Sequence, residues 1–397
     1  MKKLALGLLF AASAAQAAGF ALDAHSARAV GMGTAVVAQI DDASADYYNP
    51  AGLARGKRLE VLLGDTLIAP ALHVVGPSKQ TTDSIAAPVP PPHLFAAYGI
   101  NDFVSVGLGA FTPFGASSQW PSNWEGRQLS LSSSLSTYCL NPEVAVKLLD
   151  QLRLGVGVQL MRATVVLSRG TDFVDSVGEV TLGGATWGGG FNFGAQYTAV
   201  KDVLDFGFAY RSDVNLEFDK GLAHFEGVPP ELASTLKDQA VTTRVRLPDT
   251  YSFGAAVKPS PRLSVGVEVD YTLWSRFQEL RLDFEDPALS STLPKKWNDT
   301  ASFHFGGELA VNDELQVRLG VVYDPTPSPA ETLTPDLADA TRVKITAGAG
   351  YRFMTNFRAD LGYQLVLLSD TPSTAPGFAA TYGGSAQVIG LTLGYRG

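Results

Sequence analysis

The residue types that most often carry chemistry are sparse in this sequence. The chain has five histidines and one cysteine, Cys139, and the histidines show none of the short spacings that hold a metal ion. There is no Gly-x-Ser-x-Gly nucleophile motif, and Gly31-Met32-Gly33 lacks the third glycine of a dinucleotide-binding loop. We therefore predict no enzyme activity, no metal and no cofactor, although a barrel phospholipase would need no local motif.

The segment DDASADYYNPAGLARG, residues 41–56, predicts a short helix and a tight turn. Asp41 or Asp42 can accept hydrogen bonds from free N–H groups at a helix start. Pro50 ends that helix, because the residue before a proline is pushed out of the α region. The Asn49 side chain can bond its own backbone two residues further on. The segment is therefore expected to be a stiff plug of small residues, whose role depends on the elements around it.

The first seventeen residues predict an export signal. Lys2 and Lys3 precede an apolar run over residues 4–14, and Ala15-Gln16-Ala17 fits the small-residue cleavage rule, so that the mature chain starts at Ala18. The apolar run is too short for a membrane helix, and no later stretch of 18 apolar residues exists. An exported chain of this kind is soluble, anchored by other means, or a β-barrel.

The net charge limits the possible binding partners, and the cysteine content limits the possible disulfides. Without the two signal lysines, 28 basic residues face 39 acidic ones, a net charge of −11, which argues against a nucleic-acid partner. A single cysteine permits no internal disulfide, even in an oxidising compartment. No linker, charge block or Ser/Gly tract divides residues 57–397, so we expect one domain there.

The dominant pattern after residue 57 is strict alternation. In LSVGVEVDYTL, residues 263–273, every second residue is apolar and the residues between are polar or glycine. A period of two predicts strands with one apolar and one polar face. The breaks between strands alternate between tight turns and long segments, the long ones at residues 69–92, 112–141, 169–186, 219–240, 285–299, 325–341 and 369–385.

Alternating short and long connections are typical of transmembrane barrels, which have short periplasmic turns and long outer loops. We therefore predict an all-β membrane protein, an antiparallel transmembrane β-barrel of about 14 strands over residues 57–397. A β-sandwich is the alternative, but its loops would be similar at both ends. Residues 18–56 precede this barrel as a separate segment.

Several segments resemble the FadL family of outer-membrane transporters for long-chain fatty acids and other hydrophobic compounds. Residues 19–54 resemble the family's N-terminal hatch, with Asn49-Pro50-Ala51 as its signature. The resemblance implies that residues 18–56 form a small helical hatch inside the lumen. Further matches follow in the family's order, at GLGAFTPFGASSQWPSNWEGR (107–127), LPDTYSFGAAVKPSPRLSVGVEVDYTLWSRF (247–277), WNDT (297–300) and VRLGVVYDPTPSP (317–329).

The resemblance implies passive uptake of hydrophobic molecules, most often long-chain fatty acids, across the bacterial outer membrane. It implies outer-membrane lipid and the barrel-insertion machinery as partners, and we expect a monomer. Family members usually end in an aromatic residue that this machinery reads. This chain ends Tyr395-Arg396-Gly397, so either Tyr395 serves or insertion is less efficient.

A transporter of this kind needs a capture site and a cation for the solute's carboxylate. In the outer segment 219–240, Leu222, Phe225, Leu232 and Leu236 could form an apolar landing patch, or simply pack the loop. Leu232 and Leu236 are spaced i, i+4 on one face of a short helix that Pro230 would open. Lys295, at the outer end of a strand, and Arg318, on a lumen face, are the candidate bases, although nearby acids could equally pair them.

The strand Val104–Phe111 carries Gly107 and Gly109 on its lumen face. Glycine weakens a strand and marks bends, and in the family a kinked third strand opens a side gate through which the solute leaves into the membrane. These glycines are therefore candidate gate residues, or they only give room to the hatch. Two other functions stay open: an importer of aromatic hydrocarbons from the same family, or a non-specific porin without a plug.

Overall fold

The computed structural model describes residues 19–173 and 176–397; the expected export signal lies outside these residues. Two short α-helices, α1 (Ala27–Gly31) and α2 (Ala45–Tyr48), precede a chain made mostly of strands. The strands are β1 (Leu59–Val75), β2 (Thr81–Asp83), β3 (Pro92–Gly99), β4 (Val104–Phe111), β5 (Gly115–Gln119), β6 (Ser132–Lys147), β7 (Leu152–Asp172), β8 (Val177–Val200), β9 (Leu204–Arg211), β10 (Val214–Glu226), β11 (Gln239–Leu247), β12 (Thr250–Ser260), β13 (Leu263–Thr272), β14 (Glu279–Phe284), β15 (Ser291–Pro294), β16 (Thr300–Ala310), β17 (Leu315–Asp324), β18 (Arg342–Met354), β19 (Phe357–Ser373) and β20 (Ala380–Arg396). Single 3-10 turns lie at Pro50–Leu53, Pro230–Leu232, Trp274–Arg276, Pro287–Leu289 and Pro335–Leu337.

The strands close into one antiparallel barrel. β1 pairs with β20 from Glu60↔Arg396 to Val75↔Thr381, and with β3 on its other side. Six of the barrel strands consist of two successive segments, namely β2/β3, β4/β5, β9/β10, β11/β12, β13/β14 and β15/β16. Over residues 19–173 and 176–397 the barrel therefore has fourteen strands, which confirms the predicted fold class. No helix in the described part of the chain is long and apolar enough to cross a membrane.

The two faces of the barrel differ as the alternation predicts. On β17, Leu319 is 71% exposed on the outside, whereas its neighbour Arg318 is 2% exposed on the inside. The outward face of the barrel is largely apolar. Tyrosine side chains such as Tyr210 and Tyr251 pack against each other on it. An apolar outer band flanked by aromatic residues is what a lipid environment requires.

Residues 19–56, which we call the hatch, fill the lumen. Nearly all of them are buried, including Ala27 and Ala29 of α1. The hatch backbone lies directly against the wall, so that a Cβ atom added to Gly306 would overlap the carbonyl of Met32. Small side chains in the hatch and glycine in the wall thus permit a contact that larger residues would block.

The strands run further than the sequence pattern predicted. Most of the expected loop at 169–186 is strand, because β7 continues to Asp172 and β8 begins at Val177. The expected loop at 219–240 shortens to residues 227–238, and its predicted helix is only the 3-10 turn Pro230–Leu232. The segment 325–341 folds inward, with Leu333 and Ala340 completely buried. It therefore covers the lumen instead of projecting outward.

Candidate functional site

The Asn49 side chain joins the hatch to itself and to the wall. Its Oδ1 accepts a hydrogen bond from the Ala51 N–H at 3.2 Å and so caps the turn that follows. Its Nδ2 donates to the Val37 carbonyl at 2.7 Å and to the Ala195 carbonyl of β8 at 3.1 Å. Asn49 is completely buried. The predicted hydrogen bond between the Asn49 side chain and the backbone two residues later is therefore present. The role of Asn49-Pro50-Ala51 in transport remains a prediction.

Ion pairs within the hatch, and between the hatch and the barrel wall, form what we call the floor network. Arg28, the only arginine or lysine between residues 19 and 54, pairs with Asp41 at 2.7 Å, with Asp42 at 3.1 Å and with Glu308 of β16 at 3.2 Å. Arg358 of β19 also pairs with Asp42, at 2.8 Å. Hatch and wall are thus tied together by opposite charges that are largely removed from water.

Arg318 belongs to this floor network and not to an open passage. Its Nε lies 2.6 Å from Glu308 and its Nη1 lies 2.7 Å from Asp360, and the residue is 2% exposed. The sequence correctly placed Arg318 on the lumen face. Its proposed contact with solute is not supported by this position, because the guanidinium is enclosed by two carboxylates.

Phe20, at the start of the hatch, lies inside a group of rings that we call the aromatic cage. Its ring centroid lies 4.8 Å from Trp274, 5.4 Å from Phe277 and from Trp297, and 6.2 Å from Phe114. The cage residues come from the breaks between paired strand segments, where the chain leaves the barrel wall. Sequence reasoning missed this cage. The available signal was the presence of tryptophan and phenylalanine at strand breaks.

An apolar chamber of about 320 Å³, the outer cavity, lies at the end of the barrel that carries the long connections. Its walls include Leu167, Leu282 and Phe284, and Lys295 lies among them. The Lys295 Nζ donates to Asp336 at 2.7 Å and to the Thr334 hydroxyl at 3.0 Å. Lys295, proposed from the sequence, therefore does line an apolar space, but it is paired with an acid.

The proposed landing-patch residues do not share one surface. Leu222 is 55% exposed on the outward face of β10, and Leu232 is 38% exposed in the 3-10 turn. Phe225 instead packs against the apolar core of the lumen. Leu236 is half-buried and its N–H bonds to the Leu232 carbonyl. The four residues therefore do not form one continuous patch in this structure.

The third barrel strand is broken, as a gate strand would be. β4 ends at Phe111 and β5 starts at Gly115. Both segments pair with β6, but of the two only β4 pairs with β3. Gly107 and Gly109 face the hatch. A Cβ on Gly107 would lie 2.5 Å from Leu53 Cδ1, and one on Gly109 would overlap Asp46. The glycines thus give the hatch room, and whether they also form a gate remains a prediction.

A large apolar depression of about 1010 Å³, the wall groove, lies in the barrel wall beside this strand. Most of its lining faces the membrane, but Glu143 and Asn192, whose side chains are buried inside, also border it. Pro142 lies at its centre and has no N–H for the sheet, and the β6–β7 pairing is interrupted there. The wall groove is therefore a place where the lumen approaches the lipid.

Comparison with known proteins agrees with this architecture. The family model described as "Outer membrane protein transport protein (OMPP1/FadL/TodX)" matches residues 8–396. A "Long-chain fatty acid transport protein" of Salmonella typhi is 24% identical, covering 90% of this chain and 89% of its own. A crystal structure of a Pseudomonas aeruginosa FadL homologue superposes with a TM-score of 0.85 at 21% identity, covering 95% of this chain and 99% of its own. The Pseudomonas putida toluene transporter TodX superposes with a TM-score of 0.76 at 17% identity, covering 96% and 99%.

A closed barrel with a lumen-filling hatch and an apolar outer surface defines an outer-membrane transport protein. The chain belongs to the OMPP1/FadL/TodX family of outer membrane transport proteins, as its resemblance predicted. It is accordingly a bacterial outer-membrane channel for hydrophobic compounds and not an enzyme.

Proposed function

We propose that this channel takes up long-chain fatty acids. The observation that carries the proposal is the outer cavity, an apolar chamber with one lysine in its wall. A ligand site of this type suits a molecule with a long alkyl chain and one anionic group. An ammonium group has three donors, and Lys295 uses two of them on Asp336 and Thr334. One N–H is thus left for a carboxylate.

The proposed route continues from the outer cavity through the aromatic cage to the hatch. Phe20 occupies the cage, so an alkyl chain that enters must displace it. Because Phe20 lies at the start of the hatch, that displacement would reach the hatch directly. The solute would then leave sideways at the wall groove, next to the broken third strand.

Replacing Gly107 and Gly109 by valine tests this exit. The new methyl groups would overlap Leu53 and Asp46 and fill the space between hatch and wall, so we expect uptake of oleate to fall several-fold. Gly183→Val is the matched control, because nothing lies within 4 Å of a Cβ there. All variants should keep normal heat-modifiability on gels. Unchanged oleate uptake would mean that the glycines only make room and that the exit lies elsewhere.

Import of aromatic hydrocarbons is the second candidate. The specific observation is the aromatic cage, which encloses a single phenyl ring, that of Phe20. TodX, which shares the fold, is described as a toluene transporter. A non-specific porin is the least supported reading, because the hatch fills the lumen with buried residues.

The two candidates differ in their need for a cation. We expect the double variant Lys295→Met/Asp336→Asn, which leaves no unpaired charge, to bind oleate about 10- to 150-fold more weakly, since a hydrogen bond to a charged group contributes roughly 1.5–3 kcal/mol. Toluene binding should not change. Both can be measured by tryptophan fluorescence in nanodiscs, because Trp274 and Trp297 lie in the cage.

Lys296→Met is the matched control, because Lys296 is the exposed neighbour of the buried lysine. It should bind oleate like the unmodified chain. Equal loss of oleate and toluene binding in the double variant would point to damage of the cavity. Unchanged oleate binding, or binding of toluene alone by the unmodified chain, would contradict the fatty-acid proposal.

A further inference from the structure

One carboxylate of the hatch has no partner. Asp46 of α2 is completely buried, and within the described residues neither of its side-chain oxygens has a hydrogen-bond partner. Its carboxyl group lies against the third barrel strand, where Gly107 and Gly109 leave space for it. A buried ionised group without a partner is costly, so this carboxyl group requires an explanation.

A second carboxylate faces it from the wall. Glu143 of β6 is 3% exposed; its Oε1 accepts hydrogen bonds from the Asn141 and Asn192 amides. Its Oε2 has no partner among the residues that the structure describes. Both acids flank Gly107, since a Cβ on this glycine would lie 3.3 Å from Asp46 Oδ2 and 3.7 Å from Glu143 Cβ. The two acidic side chains therefore lie on either side of Gly107, at the contact between hatch and wall.

Only one positive charge balances them. Arg211 of β9 stacks 4.9 Å from the Tyr47 ring and 5.3 Å from the Phe111 ring. Its N–H groups bond to Gln159 at 2.8 Å and to the Tyr47 carbonyl at 2.9 Å, and in residues 19–173 and 176–397 it forms no direct ion pair with an acid. Two carboxylates thus share one nearby cation, which leaves one negative charge in excess if both are ionised.

The remaining titratable neighbours cannot compensate this charge. They are Tyr47 on the same helix, the buried Cys139 thiol on β6, and His25, which packs on Tyr47 and Phe111. The β4 strand, with Gly107, Gly109 and Phe111 at this contact, has no titratable residue. Burial raises the pKa of the Asp46 carboxyl well above its usual range, and Arg211 opposes that rise only in part. Two carboxylates that share a dry site do not both ionise.

We propose that Asp46 and Glu143 hold one proton between them and that this proton site docks the hatch onto β6, the barrel strand next to the broken third strand. A single O–H placed between one Asp46 oxygen and Glu143 Oε2 would give both of these oxygens a partner. The site links the hatch to the strand beside the wall groove, so its effect on transport rests on the proposed function. The existence of the proton does not depend on any solute.

The direction in which pH changes hatch docking follows from comparing the docked hatch with a hatch that has moved away from the wall. When the hatch moves away, Asp46 meets water and returns to an ordinary carboxyl pKa of about 4. At a pH above about 4, the docked state therefore binds more protons than the displaced state. The equilibrium constant for docking then falls by up to about tenfold for each further pH unit. This continues until the pH passes the raised pKa of the docked group. A high pH therefore favours a mobile hatch.

The direct test is infrared spectroscopy of the purified protein in lipid, compared between the unmodified chain and Asp46→Asn. At neutral pH we expect a protonated-carboxyl band in the unmodified chain that is lost in Asp46→Asn and also in Glu143→Gln. Glu314→Gln, at an exposed turn, is the control and should retain the band. Absence of the band from the unmodified chain would overturn the proposal, including the case in which a bound cation replaces the proton.

The second measurement is current noise in a planar bilayer as a function of pH. The unmodified chain should become noisier as the pH rises. Asp46→Asn supplies a permanent N–H towards Glu143, so its noise should stay low at every pH. Noise in Asp46→Asn that rises with pH as in the unmodified chain would contradict the role in docking. Neither measurement uses a fatty acid, so their outcome is independent of which solute the channel carries.

Discussion

Replacing Arg318 by leucine is expected to loosen the hatch and to leave solute binding almost unchanged. Without this guanidinium, the floor network keeps Glu308 and Asp360 in the wall and Asp41 and Asp42 in the hatch, and its remaining ion pairs to these acids come from Arg28 and Arg358. Removing one partner of a buried ion pair costs about 3–5 kcal/mol, because the other charge stays buried. A lower urea midpoint and more current noise should follow.

The double variant Arg318→Leu/Asp360→Leu provides the control, since it removes one charge of each sign. Replacing a buried pair by apolar groups is often neutral, so most of the lost stability should return. Oleate affinity, measured by tryptophan fluorescence, should be close to that of the unmodified chain in both variants. A large loss of oleate affinity with normal urea stability would instead restore Arg318 as a solute-binding residue.

The strand number could be predicted from the sequence, whereas the strand lengths could not. Period two was clear wherever the outward face is apolar, as on β13 and β17. On β10 and β11 the outward positions are charged, for example Glu217, Arg244 and Arg246, which form ion pairs or lie close together outside the apolar band. Residues 219–226 of β10, whose outward positions include Lys220, His224 and Glu226, were predicted as part of a loop for the same reason. The backbone pairing continues there because the sheet ladder does not depend on side-chain polarity.

Local features of the hatch were also predictable, while its distant partners were not. Asn49 caps the next turn within two residues, so its neighbours in the sequence contain the information. The partners of Arg318, and the meeting of Asp46 with Glu143, depend on the packing of the hatch against several strands. Their residues lie far apart in the chain. Alternation assigned a side chain to the lumen face but could not say which charge it would meet.

Asn49→Ala is expected to free the hatch without unfolding the barrel. The carbonyls of Val37 and Ala195 would lose their donor and remain buried, and each unsatisfied group of this kind costs about 1–3 kcal/mol. A cost of this size raises the displaced population by roughly 5- to 150-fold. Pro50→Gly should act in the same direction, because a freer backbone gains entropy when it is undocked.

Both variants should lose most oleate uptake and show more current noise, because a hatch that moves without solute no longer forms a shaped passage. Heat-modifiability on gels should stay normal, since the barrel is held by strand pairing that the hatch does not supply. Asn101→Ala is the matched control: this asparagine caps an exposed turn through the N–H groups of Phe103 and Val104, far along the chain from the hatch. Normal uptake by Asn49→Ala and Pro50→Gly, at equal amounts in the membrane, would limit the motif to a structural role.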